Sequence, residues 1–125
     1  MSTHLLYPLL FEPVLKDYIW GGRNLSTRLN RPLPDGIDIA ESWEIAAHPN
    51  GESVVANGGF VGLTLSSLHE LLGLSLVGHR AEWAHRRGKF PLLVKLLDAH
   101  RKLSVQVHPD DAYAQAHEGN ELGKS

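Results

Sequence analysis

The spacing of hydrophobic and polar positions changes several times along the 125 residues. "LLYPLLFEPVLKDYIW", residues 5 to 20, is mostly apolar but carries Pro8 and Pro13. Proline cannot donate to a strand ladder, so this stretch predicts an extended arm and an edge strand. "WGGRNLSTRLNRPLPDG", residues 20 to 36, predicts a loop with one short helical turn, punctuated by Pro32, Pro34 and Gly36. "IAESWEIAAHPNGESVVA", residues 39 to 56, predicts two strands about a turn signalled by Asn50-Gly51, since both residues can take positive φ. On a regular first strand Ile39, Glu41, Trp43 and Ile45 share a face. A carboxylate beside a tryptophan is unusual for plain core. The pattern leaves open a solvent-facing side or a break in register. In "TLSSLHELLGLSLVG", residues 64 to 78, Ser67 and Glu70 form an S-x-x-E capping box, and Leu68, Leu71 and Leu72 form a helical apolar stripe. "AEWAHRRGK" predicts a second short helix ending near Gly88.

"FPLLVKLLDA", residues 90 to 99, is nearly continuously apolar, with one charge at Lys95. That predicts a strand buried on both faces. A lysine there either snorkels to water or aims its ammonium at an anionic ligand. A turn at "HRK" leads into "LSVQVHPDD", residues 103 to 111. Read as a strand, it alternates: Leu103, Val105 and Val107 point one way, Ser104, Gln106 and His108 the other. Pro109 ends the strand, and Asp110 or Asp111 caps a helix over "AYAQAHE". Consecutive strands tend to be neighbours, which would bring Lys95, Gln106 and His108 to one cavity.

Residues i and i+2 of a strand lie roughly 6.5–7 Å apart on one face, so Gln106 and His108 can converge on one metal ion. Imidazole suits zinc, iron, copper or nickel. A catalytic zinc needs three protein ligands, and this strand supplies at most two.

Composition narrows the classes. The length suits one domain, and 42% hydrophobic with 21% charged residues is globular. A net charge of -2, with "HRRGK" the only dense basic patch, argues against a nucleic-acid partner. No apolar run approaches the ~20 residues of a spanning helix, so no membrane partner is expected. The N-terminus lacks a basic n-region and reads as mature protein. With no cysteine, disulfides and thiolate metal sites are excluded, and a cytoplasmic location is expected. The eight histidines are scattered, and only His108 sits in a distinctive context.

"WGG", "IAESWEIAAHPNGES", "FPLLVKLLDA", "LSVQVHPDD" and "NELGKS" occur in this order across nearly the whole chain. The set resembles the N-terminal part of type I phosphomannose isomerases, zinc enzymes that interconvert mannose 6-phosphate and fructose 6-phosphate. The resemblance implies a mainly β, cupin-like jelly-roll barrel, incomplete here, with two or three short helices. Residues 1–125 would form the N-terminal part of one catalytic domain. It implies metal ligands at Gln106 and His108 and a substrate-contacting Ser104. It places Glu41, Lys95 and Lys124 in the active site, with Lys95 also touching the phosphosugar substrate.

Members of that family are more than twice this length. Their zinc-binding glutamate follows the E-L-G-K segment, and a histidine ligand and an active-site arginine come later still. The expectation is therefore an enzyme piece that is inactive alone, and self-associates or takes a complementing chain at an open barrel edge. The competing expectation is a non-catalytic truncated cupin that binds sugar phosphates or serves as an interaction module.

Overall fold

In the computed structural model, which describes residues 6–119 and 121–124, Pro13 splits the N-terminal arm into strands β1 (Phe11–Glu12) and β2 (Val14–Lys16). A short helix α1 (Asn24–Thr27) follows, then β3 (Glu41–Ile45), β4 (Ala47–His48), β5 (Gly51–Glu52), β6 (Val54–Val55) and, later, β7 (Val94–Leu97). The chain divides into two units. The first comprises Pro8–Leu65 and Leu92–Ser104, and the bulk of the second is Ser66–Pro91 and Val105–Ser125.

All described strands belong to the first unit. β3 is the middle strand of an antiparallel sheet ordered β2-β3-β7, while β1 pairs with β6 and β4 with β5. β1 and β2 are thus edge strands, as the prolines require. Asn57 ties the arm down: its side chain accepts from Leu10 N at 2.8 Å and donates to Pro8 O at 3.0 Å.

The W-G-G glycines have a packing reason. Gly22 and Ile39 exchange backbone hydrogen bonds of 3.3 and 2.9 Å, and a Cβ on Gly21 would overlap the Ile39–Ala40 backbone. Asp98, just past β7, accepts from Asn24 N (2.7 Å) and Asn24 Nδ2 (3.0 Å), anchoring that strand to the start of α1.

Several sequence expectations change here. The β4–β5 turn holds Pro49 and Asn50, with His48 opposite Gly51, and neither Asn50 nor Gly51 has positive φ. Gly51 serves packing instead, because a Cβ there would lie 3.0 Å from the Trp43 ring and from Val14. Between Trp43 and Ile45 the β3–β7 register shifts, so Ile45 leaves the regular alternation. Two β3 residues there oppose one step of β7, which is a bulge.

β7 is shorter than expected and is not buried on both faces. Val94, Lys95 and Leu97 are exposed, because β3 is its only strand partner among the described residues. Residues 103 to 108 form no strand at all. Within that segment Val105 and Val107 are 96% and 93% exposed.

The second unit is helical: α2 (Leu65–Leu72) runs into it, followed by α3 (Leu74–Val77), α4 (Glu82–Arg86) and α5 (Asp111–His117). Helices are therefore more numerous than the two or three expected. Because α2 begins at Leu65, Ser67 stands inside its first turn and is not its N-cap. The inward stripe is also displaced: Leu65, Leu68 and His69 are buried, whereas Leu71 is exposed. Asp110 caps α5 by accepting from Tyr113 N at 2.8 Å.

His69 is only 6% exposed, and its Nε2 lies 3.0 Å from His85 Nδ1 on α4, with Phe90 edge-on to the same ring. One imidazole must donate and the other accept, so the pair needs at least one neutral ring. The pKa of His69 is lowered by its burial, then by the neighbouring His85, against an opposing pull from Glu70.

Two predictions follow from this unit. Below about pH 6.5 the unfolded imidazole takes up a proton that folded His69 resists, so stability falls as pH falls. Urea unfolding across pH should show that slope, and His69→Gln should reduce it. Asp110→Ala should cost about 1 kcal/mol in the α5 region, measured by amide exchange.

Candidate active site

The central sheet builds a polar cluster around one buried carboxylate. In register, Lys16 of β2 lies opposite Glu41 of β3, and Trp43 opposite Lys95 of β7. Directly opposed residues share a sheet face, so these four side chains start from one surface. Glu41 is 5% exposed. Trp43 Nε1 donates to its Oε2 at 2.7 Å, and Lys95 Nζ donates to Oε1 and Oε2 at 3.2 and 3.1 Å. The Lys95 ammonium also lies 5.9 Å from the centre of the Trp43 ring.

A buried carboxylate is costly unless it is paired and hydrogen-bonded, and this one is both. Oε2 accepts from two donors and Oε1 from one, which leaves Oε1 the better placed to accept another proton or hydroxyl. The same negative charge reaches Tyr18. The phenol's pKa is raised, first by partial burial, then by Glu41 and Asp17.

The other expected site residues are elsewhere. Ser104 is exposed at the end of the first unit. Gln106, His108 and Lys124 belong to the second unit and are exposed. There the chain folds back on itself: Lys124 N donates to Pro109 O at 2.8 Å, and Gly123 N to Asp111 Oδ1 at 2.7 Å. Lys124 is thereby held beside the residue that follows His108.

Glu41 and Lys95 are brought together within the first unit, whereas Gln106, His108 and Lys124 belong to the second. The described residues contain no group of three His, Cys, Asp or Glu able to hold a metal ion. Gln106 and His108 are chemically suitable donors but do not complete a catalytic zinc centre.

Sequence reasoning missed Trp43 as Glu41's hydrogen-bond donor, although the E-x-W spacing placed both on one face. It also missed Lys16, whose position depends on the pairing of β2 with β3.

The sequence profile of "Phosphomannose isomerase type I, catalytic domain" matches residues 9–122. The chain belongs to this family. Family relatives include the mannose-6-phosphate isomerase ManA of Bacillus subtilis (strain 168), 48% identical over 119 residues, covering 94% of this chain and 35% of the relative. The Escherichia coli (strain K12) mannose-6-phosphate isomerase is 34% identical over 97 residues, 77% of this chain and 24% of that protein. The crystal structure of the Bacillus subtilis mannose 6-phosphate isomerase superposes with a TM-score of 0.71 at 40% identity, over 93% of this chain and 35% of that one. A zinc-bound mannose 6-phosphate isomerase superposes at 0.69 with 28% identity, over 86% of this chain and 27% of that one. The chain thus spans about a third of the length of the Bacillus subtilis relative and about a quarter of the Escherichia coli one. Its fold is that of the corresponding part of those enzymes, without a closed barrel among the described residues.

Removing one partner from the Glu41 cluster should be more damaging than removing the pair. Lys95→Met should lower unfolding free energy by about 2 kcal/mol by leaving a buried charge uncompensated. Adding Glu41→Gln in the same chain should recover part of that loss, as a urea double-mutant cycle would show.

Proposed function

We propose that this chain carries the N-terminal third of a zinc-dependent mannose-6-phosphate isomerase, which interconverts mannose 6-phosphate and fructose 6-phosphate in the cytoplasm. The observation that carries the reading is the buried Glu41 carboxylate held by the Lys95 ammonium on a sheet whose sequence matches the isomerase catalytic domain. The reaction moves a proton between C1 and C2 of the sugar through an enediol. It needs a group that exchanges a proton and a cation that stabilises developing negative charge on oxygen.

Glu41 presents a carboxylate oxygen with spare acceptor capacity. Lys95, held by that carboxylate, presents an ammonium toward a sugar oxygen. Lys124 and Ser104 contribute further substrate contacts. Gln106 and His108 supply two donors to the metal, which when bound contributes Lewis-acid polarisation of the carbonyl. The remaining ligands would come from the part that the longer relatives possess.

The exposed β7 and the exposed 103–108 segment support a second element of the proposal. These apolar strand-forming residues suit pairing with further strands of a jelly-roll barrel, in the same polypeptide or in a complementing one. Should they instead pair two copies of this chain, the reading of a non-catalytic sugar-phosphate-binding module moves ahead.

In a coupled assay the purified 125-residue chain should show no zinc-dependent turnover and should lose zinc on dialysis. A chain extended by the sequence that continues its reading frame should retain one zinc and turn over mannose 6-phosphate. Turnover by the 125 residues alone would overturn the two-piece reading. An extended chain that holds zinc but leaves mannose 6-phosphate unchanged would overturn the assigned reaction.

A further inference from the structure

Charge on the central sheet is not evenly matched. Glu41 is engaged by Lys95, at 3.1 and 3.2 Å, and by the Trp43 indole. Lys16 stands opposite Glu41 in register but forms no ion pair among the described residues. Its ammonium donates instead to the backbone carbonyl of Asn50 and lies 4.5 Å from the centre of the Trp43 ring. Two lysines therefore flank one tryptophan, and only one of them is neutralised.

This asymmetry decides which lysine suits an anion. An ammonium has three donors, and Lys16 uses one on a neutral carbonyl. A phosphate approaching Lys95 meets a carboxylate already bound there and is repelled by it. A phosphate approaching Lys16 displaces no counter-ion. The indole beneath the ammonium holds the cation in place without cancelling its charge. Gly51 lets that indole seat, since a Cβ at this position would lie 3.0 Å from the ring.

We propose that Lys16, over the Trp43 ring, is the phosphate-binding cation of this sheet, and that Lys95 stays paired with Glu41. The assignment rests on the phosphosugar reading above and refines it by separating two lysine roles.

The test is an NMR titration of the 125-residue chain with inorganic phosphate and, separately, with mannose 6-phosphate. The reporter is the Trp43 indole N–H, assigned by its disappearance in Trp43→Phe. Both ligands should shift this signal, and added sodium chloride should weaken the response. Lys16→Gln should weaken phosphate binding by about tenfold or more, whereas Lys16→Arg should stay within about threefold of the native chain. Spectral dispersion of each variant reports whether it folds, and Lys16→Arg guards against a purely structural loss.

If phosphate does not bind, or binds Lys16→Gln as it does the native chain, the assignment is overturned. In the second case the phosphosugar reading survives. If phosphate binds through Lys16 but mannose 6-phosphate binds no more tightly than phosphate, Lys16 stands and sugar recognition by this chain falls.

Discussion

A carboxylate placed almost out of reach of water is the constraint around which the first unit is arranged. Glu41 at 5% exposure requires both a counter-charge and a hydrogen-bond donor. Lys95 can supply the charge only if β7 pairs with β3 in the observed register, and Trp43 the N–H only if its ring lies against that surface. The seat for the ring requires Gly51, and the anchor for β7 requires Asp98 on the α1 backbone. A one-residue slip would turn these side chains to the opposite face, so the ion pair helps define the register as well as the chemistry.

The second unit meets a related demand differently. His69 occupies a position in the α2 stripe where leucine would be ordinary, and it is satisfied by His85 from α4. The pair joins two short helices, each below the length at which a helix is stable alone. Lys89 and Arg87 reach Glu121 by side-chain and backbone contacts of 3.1 and 3.0 Å, which brings in the C-terminal segment. Lys124 is held beside Pro109 by that return of the chain. Gln106 and His108, just before Pro109, lie in no strand.

Family membership gives the exposed apolar segments a physical sense. Among the described residues β3 is the one strand partner of β7, and residues 103 to 108 take no strand assignment. The relatives carry about two-thirds of their length beyond the matched region. Alternating valines that are 93% and 96% exposed have the pattern of a strand without the ladder that would make it one.

Local signals in the sequence determined a good deal: the proline-broken arm, the hairpin after residue 46, the helix near residue 68, the Asp110 cap and the glutamate beside a tryptophan. Each depends on a residue's own backbone preference or on spacing of a few positions. The family was also legible, because the order of short motifs is preserved along the chain. Tertiary structure decided what depends on distant partners. It selected Lys95 for Glu41, left Lys16 without a carboxylate among the described residues, buried His69 against His85, shifted register after Trp43 and withheld strand structure from residues 103 to 108. Those outcomes are set by the pairing and burial of residues far apart in sequence, which the spacing of neighbours along the chain does not encode.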